Sequence, residues 1–377
     1  MSRRSLFLIS MLALFALVIS ACSTGGGETV VKTVEVIKTV IVTVEAPAEG
    51  GGEAVPSAPV GYGSIVETIK DRDKLICGAR TDLAGFGVLD ADGRNTGFDI
   101  DLCRAIAAAL LGDPEAVEFV PLSAAERGPA LQTGEVDILS RNATWTSTRD
   151  AQWGNFAWVW FYDGQGFMVP AEGGITTIEE LDGATVCVTS GTTTELNLAD
   201  AFRQRGLDFT AVTFEDTATV YSTYEEGRCD ATTSDKSQLA SVRSGFADPA
   251  AHNILDITIS KEPLTPGVPA GDDQWFDIVK VVEWGLINAE ELGVTQANVE
   301  EMKNSDNIEI RRLLGVEGEW GQSDLGLPTD AIAQAIMAVG NYGEIYDRYI
   351  GPGGLNIPRG PNNLWTEGGL IYAPPLR

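Results

Sequence analysis

The sequence predicts an α/β protein built as two similar lobes around a ligand cleft. Three observations predict it. Strand and helix patterns alternate from residue 64 onward, which favours layered α/β packing. A β-α-β-α-β pattern occurs twice, and Gly134-Glu135-Val136-Asp137 is echoed by Gly227-Arg228-Cys229-Asp230. In open sheets of this kind a ligand sits beyond the carboxyl ends of the strands. Two such sheets facing each other place those ends across a gap.

The chain opens with Arg3 and Arg4, an apolar run from Leu6 to Ile19, and Ser20-Ala21 before Cys22. A basic start, a short apolar core and small residues describe a secretory signal over residues 1–21. The run is too short to span a bilayer comfortably. Ile19-Ser20-Ala21-Cys22 resembles a bacterial lipobox, with Ile where the pattern prefers Leu. The resemblance implies a lipid on the Cys22 thiol and a mature protein working outside the cytoplasm, held at the membrane by that lipid alone. Residues 22–63 carry Gly25-Gly26-Gly27, Gly50-Gly51-Gly52 and three prolines, and read as a flexible tether. Val30, Val34, Ile37, Ile41 and Val44 step like a coiled-coil seam, but over too few heptads to specify one.

The formal net charge is -28. That excludes nucleic acid as a default partner, because phosphate binding needs clustered Lys and Arg. It also argues against lying on an anionic membrane surface. The apolar fraction, 44%, is ample for a core. With one histidine, His252, and no CxxC, a Cys/His metal site is not expected. Cys77, Cys103, Cys187 and Cys229 allow three pairings. Pairs Cys77–Cys103 and Cys187–Cys229 are favoured, because each falls inside one repeat.

In the first repeat, 74–79 reads as a strand. Asp99 and Asp101 open a helix to Leu110, 117–120 is a strand, 124–133 a helix and 136–139 a strand ending in a polar loop. In the second, 184–188 is a strand, and Thr192 with Glu195 forms a capping box opening a helix to Arg205. Then 209–214 is a strand, 217–226 a helix and 229–233 a strand ending at Ser234-Asp235. Further helices are expected over 277–291, 295–302 and 331–346. Lobe 1 is assigned to 64–168 plus 264–377, and lobe 2 to 169–263.

Three loops at strand ends carry complementary chemistry. Ser190 to Thr194 puts a glycine and hydroxyls at a helix start, a seat for carboxylate or phosphate. Asn142, Thr144 and Arg149 lie in a polar loop whose arginine can grip a carboxylate with parallel N–H bonds. Asp235 can meet an ammonium, or simply cap the helix after it. One anion seat, one guanidinium and one carboxylate match an α-amino acid. Leu83 and Phe86, in the first strand-to-helix loop, are candidate walls for its side chain, with core packing as the plainer role for Phe86. No nucleophile elbow, HExxH or P-loop is present, so neither catalysis nor a cofactor is expected.

These residues resemble a known family. Gly97-Phe98-Asp99-Ile100-Asp101, Leu139-Ser140-Arg141-Asn142-Ala143-Thr144-Trp145, Ser190-Gly191-Thr192-Thr193-Thr194-Glu195 and Gly271-Asp272-Asp273-Gln274-Trp275 are similar to stretches of the solute-binding proteins of polar amino acid ABC transporters. More narrowly, they resemble the general L-amino-acid-binding type. The resemblance implies a two-lobed periplasmic-binding-protein-like fold of type II, with hinge crossings near 166–169 and 261–265. It implies an L-amino acid as ligand and an ABC transporter permease as partner. It places carboxylate binding at Arg149, backbone and hydroxyl contacts at Asn142, Thr144, Thr192 and Thr193, and ammonium binding at Asp235. Many relatives carry an aromatic and an acid in the first loop. Here Leu83 and Arg80 stand there, which disfavours specificity for basic amino acids and implies broad acceptance. The alternatives are a cyclohexadienyl-type dehydratase on the same scaffold, or an amino acid sensor.

Overall fold

Two five-stranded sheets organise the chain, as seen in a computed structural model that describes residues 63–377. The signal, Cys22 and nearly all of the tether lie outside the described residues. In the first sheet Leu75–Ala79 runs parallel to Val117–Pro121 on one side and to Ile138–Leu139 on the other. Gly267–Val268 then pairs antiparallel with Ile138–Leu139 and Asn155–Phe156. The second sheet repeats the plan. Ala184–Thr189 is parallel to Phe209–Phe214 and to Ala231–Asp235, and Gln165–Pro170 lies antiparallel between Ala231–Asp235 and His252–Ile254.

The sequence echo marks a repeated clasp. The Asp137 N–H donates to the Ile76 carbonyl at 2.9 Å, and its carboxylate accepts the Ile76 N–H at 2.7 Å. Asp230 does the same with Thr185, at 2.9 and 2.7 Å. Each aspartate thereby bonds the strand entering the ladder to the strand beside it, satisfying backbone groups that a strand end leaves open. Each unit also holds its own disulfide. Cys77 on the first strand joins Cys103 of helix Phe98–Leu111, and Cys187 joins Cys229, with Cα atoms 6.4 and 5.8 Å apart.

The larger core belongs to the first unit. Helices Phe98–Leu111, Asp273–Glu291 and Ala331–Val339 bury apolar faces there. Phe98, Trp160, Tyr342 and Tyr346 form an aromatic nest within it. The helix expected over 331–346 is two helices, Ala331–Val339 and Tyr342–Tyr349. Gly340 at φ 88° breaks the run, and Asn341 with Glu344 makes a capping box that restarts it.

The two units are joined by Phe161–Asp163 and Glu262–Leu264, which pair antiparallel. The second crossing falls where it is expected. The first does not: Gln165–Pro170 lies entirely in the second sheet, so the crossing is at 161–163 rather than 166–169, and lobe 2 begins before 169. A strand that passes directly from hinge into sheet shows no change of pattern at the boundary.

Candidate functional site

The carboxyl ends of the parallel strands converge on a cavity of about 30 Å³. Asn142, Thr144 and Arg149 reach it from the first unit, and Thr192, Thr193 and Asp235 from the second. Six of the eight sequence candidates are therefore brought together.

Leu83 and Phe86 are not among them. Leu83 sits on a short hairpin, paired with Gly87, and alternation along the strand turns its neighbour Asp82 outward to Arg80. Leu83 faces inward and lines a separate hollow with Tyr221 and Val242. Phe86 packs edge-on against Phe98 and Phe161 in the core. Neither walls the cavity.

Thr192 caps helix Thr193–Arg205, accepting the Glu195 N–H at 3.2 Å. The Glu195 carboxylate reaches back to the Gly191 N–H at 2.8 Å. The Thr192 hydroxyl is thus engaged locally, and also donates to the Thr189 carbonyl at 2.7 Å. The first-turn N–H groups at Thr193 and Thr194 have no intrahelical acceptor, and the dipole makes that end positive.

Arg149 is buried in the short helix Ser147–Gln152. Its Nη1 donates to the Thr144 carbonyl at 3.0 Å, and its guanidinium lies 4.6 Å from the Trp153 ring centroid. Burial lowers its pKa, while the nearby Glu262 and Asp235 carboxylates oppose that. The pair of fixed contacts orients the fork for a planar anion.

Asp235 closes the strand Ala231–Asp235 and occupies the N-cap position of helix Lys236–Ser244, yet its side chain makes no cap bond. Its Oδ1 is buried with no hydrogen-bond partner. Burial, and then the charges of Asp163 and Glu262, raise its pKa well above the ordinary range, against Arg127 and Arg149. The plain capping role is excluded, and the carboxylate is left short of a donor.

Four side chains that sequence reasoning missed complete the site. Glu262, on the hinge, accepts the Thr144 hydroxyl at 2.6 Å, the Thr193 hydroxyl at 3.1 Å and the Asn197 amide at 2.8 Å. Its position on the second crossing was the available signal. Gln238 joins the units through its Oε1, which accepts from Arg80 at 2.8 Å and Asn142 at 3.2 Å. Arg127 and Arg141 also line the cavity. Arg141 stands one residue before Asn142, so its neighbourhood was visible although its role was not. Among the described residues no group of His, Cys, Asp and Glu is placed to hold a metal.

Residues 75–352 match the bacterial extracellular solute-binding proteins, family 3. The chain is 50% identical, over 88% of its own length and 98% of the relative's, to the general L-amino acid-binding periplasmic protein AapJ of Rhizobium johnstonii. It is 48% identical, over 83% and 94%, to the glutamate/glutamine/aspartate/asparagine-binding protein BztA of Rhodobacter capsulatus. Among solved structures, a periplasmic binding protein of an ABC transporter from Brucella ovis, with glutathione bound, is 49% identical. It superposes with a TM-score of 0.81 over 83% of this chain and 99% of that one. All three are described as binding proteins and none as an enzyme, in keeping with the lack of a catalytic set. A cavity between two hinged lobes, and this breadth of likeness, lead to one conclusion: the chain belongs to the bacterial extracellular solute-binding proteins, family 3.

Proposed function

We propose that this protein captures L-amino acids outside the cytoplasm, held to the membrane by a lipid on Cys22, and delivers them to an ABC transporter permease. The observation that carries the ligand reading is the Asp235 carboxylate, buried and short of a donor, in one cavity with the Arg149 guanidinium and a helix start. An amino acid satisfies all three. Its carboxylate bridges Arg149 and the first-turn N–H groups of Thr193 and Thr194. Its ammonium meets Asp235. Asn142 and Thr144 complete the seat from the first lobe.

Closure of two lobes about the hinge buries both charges of the ligand, and burial strengthens their pairing. Removing one partner of such a pair strands the other, at about 2–5 kcal/mol of affinity. Calorimetric titration of Arg149→Ala and Asp235→Ala tests the reading. Each is expected to lose amino acid binding while keeping its fold. Near-native affinity in either variant overturns the assignment. The anchor is tested separately, by fatty-acid labelling of the full chain and of Cys22→Ala. The delivery step is tested by uptake with the protein and its permease in vesicles.

A further inference from the structure

The cavity holds more positive charge than an α-amino acid's backbone groups require. Arg149 faces the proposed α-carboxylate. Arg80 is satisfied within the protein, by Asp82 through Nε and Nη2 and by Gln238 through Nη1. Arg127 and Arg141 are not. Arg141 is 6% exposed, and among the described residues its one hydrogen bond runs from Nε to the Leu122 carbonyl at 2.5 Å. Arg127 is 4% exposed; among the described residues its one hydrogen bond runs from Nε to the Ala124 carbonyl at 3.2 Å, and its guanidinium lies 5.8 Å from the Trp153 ring centroid. Among the described residues neither has a carboxylate within salt-bridge distance. Both guanidiniums line the same cavity as Asp235.

A guanidinium keeps its proton in proteins. Burial pushes Arg141 down to about 9, so it is still a cation at neutral pH. Asp82 and Asp99 act on Arg141, and Asp235 on Arg127, only from beyond contact, and two buried cations with no carboxylate in contact are costly. Asp235 is the one carboxylate among the cavity's lining residues, and the ligand's ammonium claims it. Once the backbone carboxylate and ammonium are seated, the outstanding need is for a second negative group.

We infer that Arg127 and Arg141 form a side-chain anion seat, which makes a dicarboxylic amino acid the preferred ligand. The inference rests on the amino acid reading above and narrows the broad acceptance that the first loop implies. The side-chain carboxylate accepts from the Nη groups of Arg127 and Arg141. A neutral side chain leaves those donors unpaired, and a basic one adds repulsion.

The test uses the full chain, stripped of ligand by unfolding and refolding, titrated calorimetrically with L-glutamate, L-glutamine, L-alanine and L-lysine at neutral pH. Glutamate is expected to bind about tenfold or more tighter than glutamine and alanine, with lysine weakest, because charge-assisted bonds are about twice as strong as neutral ones. Arg127→Met and Arg141→Met are each expected to cut the ratio of glutamate to alanine affinity about tenfold or more. Alanine or lysine binding as tightly as glutamate in the unaltered protein overturns the inference and leaves amino acid capture standing. So does an unchanged ratio in both variants. Binding of none of the four overturns both readings. The selectivity of the unaltered protein decides the matter if a variant fails to fold.

Discussion

Arg80 of the first lobe donates through Nη1 to the Gln238 side-chain oxygen of the second at 2.8 Å. The same oxygen accepts from Asn142 at 3.2 Å, and the Gln238 amide donates to Tyr221 at 2.9 Å. One buried amide therefore fastens two loops of one lobe to the other, within the lining of the cavity. Gln238→Ala is expected to speed ligand release about 5- to 30-fold, the equivalent of one or two lost buried hydrogen bonds. Stopped-flow dissociation measures it. An unchanged release rate would remove Gln238 as a latch.

Glu262 does comparable work from the hinge. Thr144 and Thr193, from opposite lobes, donate to the same Glu262 oxygen. Glu262→Ala is expected to cost about 1–3 kcal/mol of ligand affinity, because it leaves several buried donors unpaired. Titration should show the loss. Small-angle scattering should show that the variant with ligand is less compact than the parent.

Binding should tighten as pH rises through the acidic range. Asp235 has a raised pKa, from burial first and then from Asp163 and Glu262, against Arg127 and Arg149. The ligand's ammonium favours the ionised carboxylate, so the complex has the lower pKa. Between the two values the free protein holds a proton that the complex has lost. Binding then releases a proton, and affinity climbs with pH across that window. Titration in buffers of different ionisation heats reads the proton directly. Proton uptake instead of release would contradict the sign.

Glu283 presents a stability test away from the site. It is wholly buried in helix Asp273–Glu291, and neither carboxylate oxygen makes a full hydrogen bond. Burial pushes its pKa well up, with some relief from the Trp158 backbone N–H. A raised folded-state pKa means that the folded protein holds the proton. Stability therefore falls as pH rises from the unfolded value through the folded one. Glu283→Leu is expected to stabilise by about 1–3 kcal/mol at neutral pH and to flatten that dependence. Denaturant unfolding at two pH values checks both.

What was legible in the sequence was what is decided locally. The Thr192–Glu195 cap, the glycine-closed helices and the twice-used strand-end aspartate are short-range chemistry. They located both sheets and six cavity residues. Side-chain direction on a two-residue strand, or in the turn after it, is not local, which is why Leu83 and Phe86 were misplaced. Nor is pairing between charges. Thr144 and Glu262 are 118 residues apart, and nothing near either one announces the other. Arg127 and Arg141 carry no local sign that they lack a carboxylate in contact. That emerges only when the strands bring four arginines around one aspartate.

Each disulfide is contained within its own half of the molecule, and among the described residues no disulfide crosses from one half to the other. Oxidation outside the cytoplasm thus stiffens each jaw while leaving the swing between jaws to two short peptide connectors. Reductant should lower melting temperature without freeing or locking the swing, since the bonds that govern opening are all noncovalent.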